Sequence, residues 1–223
     1  MKTLQHYITE KILINKNSKL AYNYYPKTKE ELKDIIKQKI ESEGNECNLN
    51  DIDTSNITDM SFLFKGSKFN GDISKWNVYN VTNMEFMFYE SEFNVDISNW
   101  NVSNVTNMPG MFAYSKFNGD ISNWDVSNVV DMSFMFTYSK FNGDISNWDV
   151  SNVIHMKYMF SGSKFNGDIS KWDVSNVKYM NSIFYKSVFN SDISNWNVLN
   201  VIDMKAMFDN CPIEEKYKPK FKK

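Results

Sequence analysis

Through most of the chain, apolar residues fall in one frame that repeats every 24 positions. In one unit, Trp100 and Val102 stand two apart and share one face of an extended segment. Met108, Met111 and Phe112 follow at i, i+3 and i+4, the spacing of one side of a short helical turn. Val105, Phe117 and Ile121 fill the connections. The frame never slips: the tryptophans are Trp76, Trp100, Trp124, Trp148, Trp172 and Trp196. A fixed period in this range marks a solenoid, because one unit buries its apolar face only against its neighbours. Ordering a unit costs at least as much as burying its few apolar side chains returns, so a lone unit is not expected to fold. The tryptophans should form one spatial column, rising about 4.8 Å per unit.

Ahead of the repeats, Thr28 and Glu31 have the spacing of a capping box. Leu32, Ile35, Ile36 and Ile40 fall at helical spacing and Gly44 supplies a stop. This predicts a helix whose apolar face closes the end of the core while Lys29, Lys33, Lys37 and Glu41 meet water. A short helix is also expected around Leu4 to Leu13. Leu49, Ile52, Thr54 and Ile57 stand where the next unit has Ile73, Trp76, Val78 and Val81, a degenerate first repeat. A truncated unit from Met204 to Ile213 closes the array. The organisation is thus an N-terminal segment and capping helix over 1–46, a solenoid of about seven repeats over 47–213, and a basic tail over 214–223 read as a solvated end.

Two asparagine columns run through the units, one from Asn56 through Asn128 to Asn200 and one from Asn70 through Asn118 to Asn190. Asparagine suits turns and bridges backbone groups above and below it, so both columns read as structural. The aspartates Asp72, Asp96, Asp120, Asp144, Asp168 and Asp192 read as turn formers. Calcium is the sharper alternative, disfavoured because one fixed carboxylate per unit falls short of the six to eight oxygens the ion takes.

Composition narrows the function. A 42% hydrophobic and 16% aromatic chain supports a continuous core, and a net charge of -2 argues against a nucleic-acid footprint. No apolar run approaches the length of a membrane span. The stretch from Met1 to Lys11 lacks the apolar core of a secretory signal, so the chain as written is expected in the cytoplasm. Cys47 and Cys211 sit at opposite ends of the array, roughly 30 Å apart at one strand spacing per unit, and are not expected to pair. His6 and His155 are the only histidines, and His155 occupies a column that elsewhere holds Asp59, Asn83 and Asn107. With no phosphate loop and no metal-spaced Cys/His cluster, the expectation is a non-enzymatic protein without a cofactor.

The unit Phe-Asn-x-Asp-Ile-x-x-Trp-(Asp/Asn)-Val-x-Asn-Val-x-x-Met-x-x-(Met/Leu/Ile)-Phe resembles the BspA-like leucine-rich-repeat proteins, over roughly Cys47 to Ile213. The branch with this Trp-Asp-Val and Met-Phe repeat includes many bacterial surface proteins and lipoproteins. The ending Met207-Phe208-Asp209-Asn210-Cys211 is similar to that family's closing turn. The resemblance implies a right-handed, leucine-rich-repeat-like solenoid with a parallel strand ladder; with the short helical turns and the helical N-terminal cap read from the spacing, the expected fold class is α/β. The resemblance also implies adhesion or protein binding, and cell-surface display. Ile8 to Lys16 are similar to a short leader on some gut-phage proteins.

Against this fixed frame three neighbouring columns vary. The first reads Phe62, Phe86, Gly110, Phe134, Tyr158, Ser182, Ala206. The second reads Lys65, Tyr89, Ala113, Thr137, Ser161, Tyr185, Asp209, and the third Gly66, Glu90, Tyr114, Tyr138, Gly162, Lys186, Asn210. Exposed aromatics on a rigid scaffold are a hot-spot composition. The candidate binding residues are therefore Phe86, Tyr89, Tyr114, Phe134, Tyr138, Tyr158 and Tyr185, facing a protein or glycan partner from a monomeric scaffold. The alternative is a structural or phage-accessory repeat protein serving as a spacer or assembly surface.

Overall fold

The computed structural model describes residues 22–221. The helix expected around Leu4 to Leu13 and the leader-like stretch lie outside them. Helix α1 (Lys29–Glu43) begins at Thr28, whose hydroxyl accepts from the Glu31 N–H at 3.2 Å. The Glu31 carboxylate accepts from the Lys27 N–H at 2.7 Å, one residue before the cap, so the box closes one position early. Gly44, at φ +89°, ends the helix and donates to the Ile40 carbonyl. Leu32 and Ile36 are buried against the first coil. Two lysines depart from the expected amphipathic split. Lys39 is buried and pairs with Asp51 and Glu43, each at 3.2 Å, and Lys29 reaches Asp59 at 3.2 Å.

From Cys47 onward the chain winds into coils of 24 residues stacked on one another, but the stack is not the expected α/β solenoid. Among the described residues there is no β-strand, and the repeats contain no helix. Parallel pairing shrinks to one residue per coil: Asp59, Asn83, Asn107, Asp131, His155, Tyr179 and Asp203 bridge in succession. A ladder fails to grow because the backbone turns immediately beyond this residue. Over 60–67, three turns overlap: Leu63 N–H bonds to Met60 O, Lys65 to Phe62 O and Ser67 to Phe64 O. The intervening N–H groups of Met60, Phe62, Phe64 and Gly66 instead bond to Asn83, Glu85, Met87 and Tyr89 in the next coil. A helix would hold all these donors internally with φ negative throughout. Here φ is +60° at Phe62 and +66° at Gly66, the sign a type II turn requires at its third residue. The Met-x-x-Met-Phe spacing is therefore the footprint of overlapping turns that share donors between one coil and the next.

Two further corners complete each coil. Asp120 Oδ1 accepts from the Ser122 N–H at 2.9 Å and the Trp124 N–H closes on Ile121 O. The Val129 N–H closes on Val126 O. The same pattern recurs at Asp72, Asp96, Asp144, Asp168 and Asp192, which accept from the serine two residues on.

Translation by one coil places like on like. The tryptophans form the expected column, with Trp76–Trp100 and Trp100–Trp124 centroids 6.4 and 6.5 Å apart and planes within 3°. Each indole N–H donates to an isoleucine or leucine carbonyl of the preceding coil, as Trp148 does to Ile121 at 3.0 Å. Phe88, Phe112, Phe136 and Phe160 make a second column and Phe93, Phe117, Phe141 and Phe165 a third, all fully buried. Both asparagine columns are ladders. Asn128 Nδ2 donates to Ser103 O at 2.7 Å, whereas Asn118 Oδ1 accepts from the Asn142 N–H at 2.8 Å.

The tail does not hang in solvent. Tyr217 O accepts from the Ile193 N–H at 3.0 Å, Pro219 is buried, and Phe221 packs on Phe208. A short 3-10 turn, Glu215–Tyr217, carries the chain across the last coil, so the stack is covered at this end as well as by α1. Cys47 and Cys211 are both free thiols; Cys211 Sγ lies 3.2 Å from Phe189 O.

Candidate functional site

The first and third variable columns share one backbone property. Phe62, Phe86, Phe134, Tyr158, Ser182 and Ala206 in the first, and Glu90, Tyr114, Tyr138, Lys186 and Asn210 in the third, all have φ between +49° and +61°. Glycine fills the remaining places as Gly66, Gly110 and Gly162. Each overlapping-turn run thus imposes left-handed backbone at two fixed points; Phe62, Tyr114 and Tyr138 stand out from the stack there, whereas Ser182 is buried.

Rings at these points lean along the axis. A Cβ at Gly110 would lie 2.1 Å from the Phe86 ring, and one at Gly162 would lie 2.3 Å from the Tyr138 ring. Both glycines therefore carry a ring from the coil before. Phe134 stacks on Tyr158 at 5.1 Å and Tyr114 on Tyr138 at 5.2 Å. These two stacks run side by side as walls.

Between them lies the second column, whose centre does not project as expected. Ala113, Thr137 and Ser161 are buried and form a floor. The Thr137 hydroxyl donates to Tyr158 O at 2.5 Å and the Ser161 hydroxyl to Tyr185 O at 3.2 Å. In the same column Tyr89 and Tyr185 stand at the two ends. Tyr89 meets Phe86 and Tyr114 edge-on, at 5.4 and 5.7 Å. The result is a trough of about 420 Å³, lined by all seven candidate residues together with the three floor residues. Tyr114 and Tyr138 are nearly half exposed, at 48% and 45%.

Lysines rim the aromatics. Lys65 Nζ sits 5.2 Å from the Tyr89 ring, Lys157 5.6 Å from Phe134 and Lys186 5.1 Å from Tyr185. The Lys186 ammonium is held above the usual lysine range by its hydrogen bond to the Tyr185 phenol. The Tyr89 hydroxyl is raised by its bond to the Glu90 carboxylate, with burial adding to the effect.

The floor is what sequence reasoning missed. Its signal was three small residues in successive units, bracketed by tyrosines in the same column. His155 is half-buried in the bridge column and stacks on Tyr179 at 4.8 Å, away from the trough lining. Among the described residues, no three His, Cys, Asp or Glu side chains are placed to hold a metal ion, and no helix is long and apolar enough to cross a membrane.

No curated protein and no solved structure matches the chain. A family model described as Mycoplasma protein of unknown function, DUF285, matches residues 31–140 and again residues 113–219, which together span α1, the stacked coils and the start of the tail. With both copies of that model falling on the 24-residue repeat itself, the chain belongs to the DUF285 repeat family.

Proposed function

We propose that this protein is a non-enzymatic scaffold that binds a protein or glycan partner in the aromatic trough. The observation that carries the reading is where the wall residues stand. Phe86, Tyr114, Phe134, Tyr138 and Tyr158 all occupy left-handed backbone, which costs an L-residue about 1–2 kcal/mol. Glycine relieves that cost and is already present in both columns, at Gly66, Gly110 and Gly162. Bulky rings kept at strained, partly exposed points support a role beyond folding. Tyrosine adds large contact area at low entropic cost, which suits a recognition surface. An adhesin-like role fits the BspA-like character of the repeat.

The test compares the protein with a Tyr114→Ser/Tyr138→Ser variant on peptide and glycan arrays. A ligand of the intact protein should lose about 30-fold or more in affinity, the equivalent of about 2 kcal/mol for a central hot spot. The melting temperature should fall by no more than a few degrees. Unchanged binding would remove the trough from the interaction. A collapse in stability would assign the rings to packing.

A further inference from the structure

The chemistry of the trough restricts what lies in it. Its floor offers no free hydrogen-bond donor. The N–H groups of Ala113, Thr137 and Ser161 bond to Gly110, Phe134 and Tyr158, and their carbonyls accept from Glu90, Tyr114 and Tyr138. The hydroxyls of Thr137 and Ser161 are turned to the scaffold backbone. A ligand strand therefore finds no free N–H along the floor to pair with, and sugar oxygens pressed on it would lose their water donors without replacement. Around the floor stand the phenols of Tyr114, Tyr138 and Tyr158, which both donate and accept, and the ammonium groups of Lys157 and Lys186, which only donate.

A proline-rich segment in the polyproline II conformation has the complementary set. Its rings are apolar, its backbone lacks N–H groups, and its carbonyls project outward as acceptors. Aromatic-lined grooves are the general solution for such segments. From Tyr89 to Tyr185 the trough spans four coils, about 19 Å at about 4.8 Å per coil. At 3.1 Å per residue this holds about six residues. Lysines stand along the whole trough, Lys65 over Tyr89 at one end, Lys157 over Phe134 at the middle and Lys186 over Tyr185 at the other end, which favours carboxylates flanking the prolines.

Building on the binding role proposed above, we propose that the trough holds a proline-rich segment of a partner protein, about six residues long and flanked by acidic residues. The test measures binding of blocked synthetic peptides by fluorescence anisotropy. One peptide carries six prolines flanked by glutamates, a second carries the same prolines flanked by lysines, and a third replaces the prolines of the first with alanines. Galacturonate and cellulose hexasaccharides serve as the glycan arm, read by competition or calorimetry. The blocking variant is Thr137→Tyr, because the same column already carries tyrosine at Tyr89 and Tyr185.

The acidic proline peptide should bind at least tenfold more tightly than its alanine counterpart and several-fold more tightly than the lysine version. Thr137→Tyr should weaken it at least tenfold, and Lys157→Glu/Lys186→Glu should abolish the preference for glutamate over lysine. Equal binding of the proline and alanine peptides overturns the proposal. So does a saccharide that binds in a Thr137→Tyr-sensitive way while the proline peptide does not, although the trough would then still be a binding site. If no probe binds in a way that Thr137→Tyr weakens, both this proposal and the binding role fall together.

Discussion

Replacing Ser182 with glycine should stabilise this protein, against the usual direction of such a change. Ser182 lies in the first variable column at φ +56°, and its N–H bonds to Lys205 O at 2.9 Å. Left-handed backbone costs an L-residue about 1–2 kcal/mol, which glycine removes. Glycine also gains freedom in the unfolded chain, which costs about 0.5–1 kcal/mol. The N–H···O bond is kept, because glycine already holds the equivalent place at Gly110. The Ser182 side chain is buried, but what its methylene gains is offset by desolvation of its hydroxyl, so the balance is a gain of about 0.5–1 kcal/mol, or about 1–4 °C in melting temperature for a chain of this size. The control is Ala113→Gly in the second column, whose φ is not positive and whose methyl is 1% exposed. There glycine loses entropy and about 0.8 kcal/mol of methyl burial, so the change should destabilise by about 1–2 kcal/mol. Urea melts followed by tryptophan fluorescence measure both, with the m-value required to stay constant. A lower midpoint for Ser182→Gly, or a shift of the same sign at both sites, would refute the assignment of strain to the variable columns.

Two further outcomes follow from the ladders and corners. Asn128→Ala removes the bond to Ser103 O at a site open to water, so it should cost about 0.5–1.5 kcal/mol; Asn123→Ala, on the exposed surface, should cost under about 0.5 kcal/mol, and equal costs would contradict the ladder. Asp120, Asp144, Asp168 and Asp192 are each held below the usual carboxylate range by the N–H of the serine two residues on. Since folding lowers these pKa values, their contribution is complete above the unfolded value of about 3.9 and is lost as pH falls through the folded values. Melting temperature should therefore be flat from neutral pH to about 5 and fall below about 4, and a curve flat to pH 3 would exclude it.

Much of this architecture was legible because translation by 24 residues turns sequence identity into spatial contact. The six tryptophans had to stack, as had Tyr114 on Tyr138. The local backbone was harder to read. Met108, Met111 and Phe112 have a spacing shared by one turn of helix and by overlapping β-turns, and periodicity does not separate the two. What separates them is the sign of φ, and the sequence did carry a trace of it. Gly66, Gly110 and Gly162 alternate with aromatics in the only two columns where φ is positive. The trough escaped notice for a related reason. Ala113, Thr137 and Ser161 are ordinary residues one at a time, and only their adjacency across coils makes a floor. The tail misled through its lysines: Lys218 lies over the Phe208 ring at 5.5 Å, and Pro219 is buried.

The trough begins and ends where tyrosine returns to the second column, so its length comes only in whole coils. Gain or loss of one repeat between Tyr89 and Tyr185 would change it by a single increment of about 4.8 Å and leave both ends intact. In this sense the fold works as a ruler with movable stops. Recombination between near-identical repeats would reset the gauge in one event, and the segment proposed to lie in the trough would then change in steps of about one and a half polyproline residues.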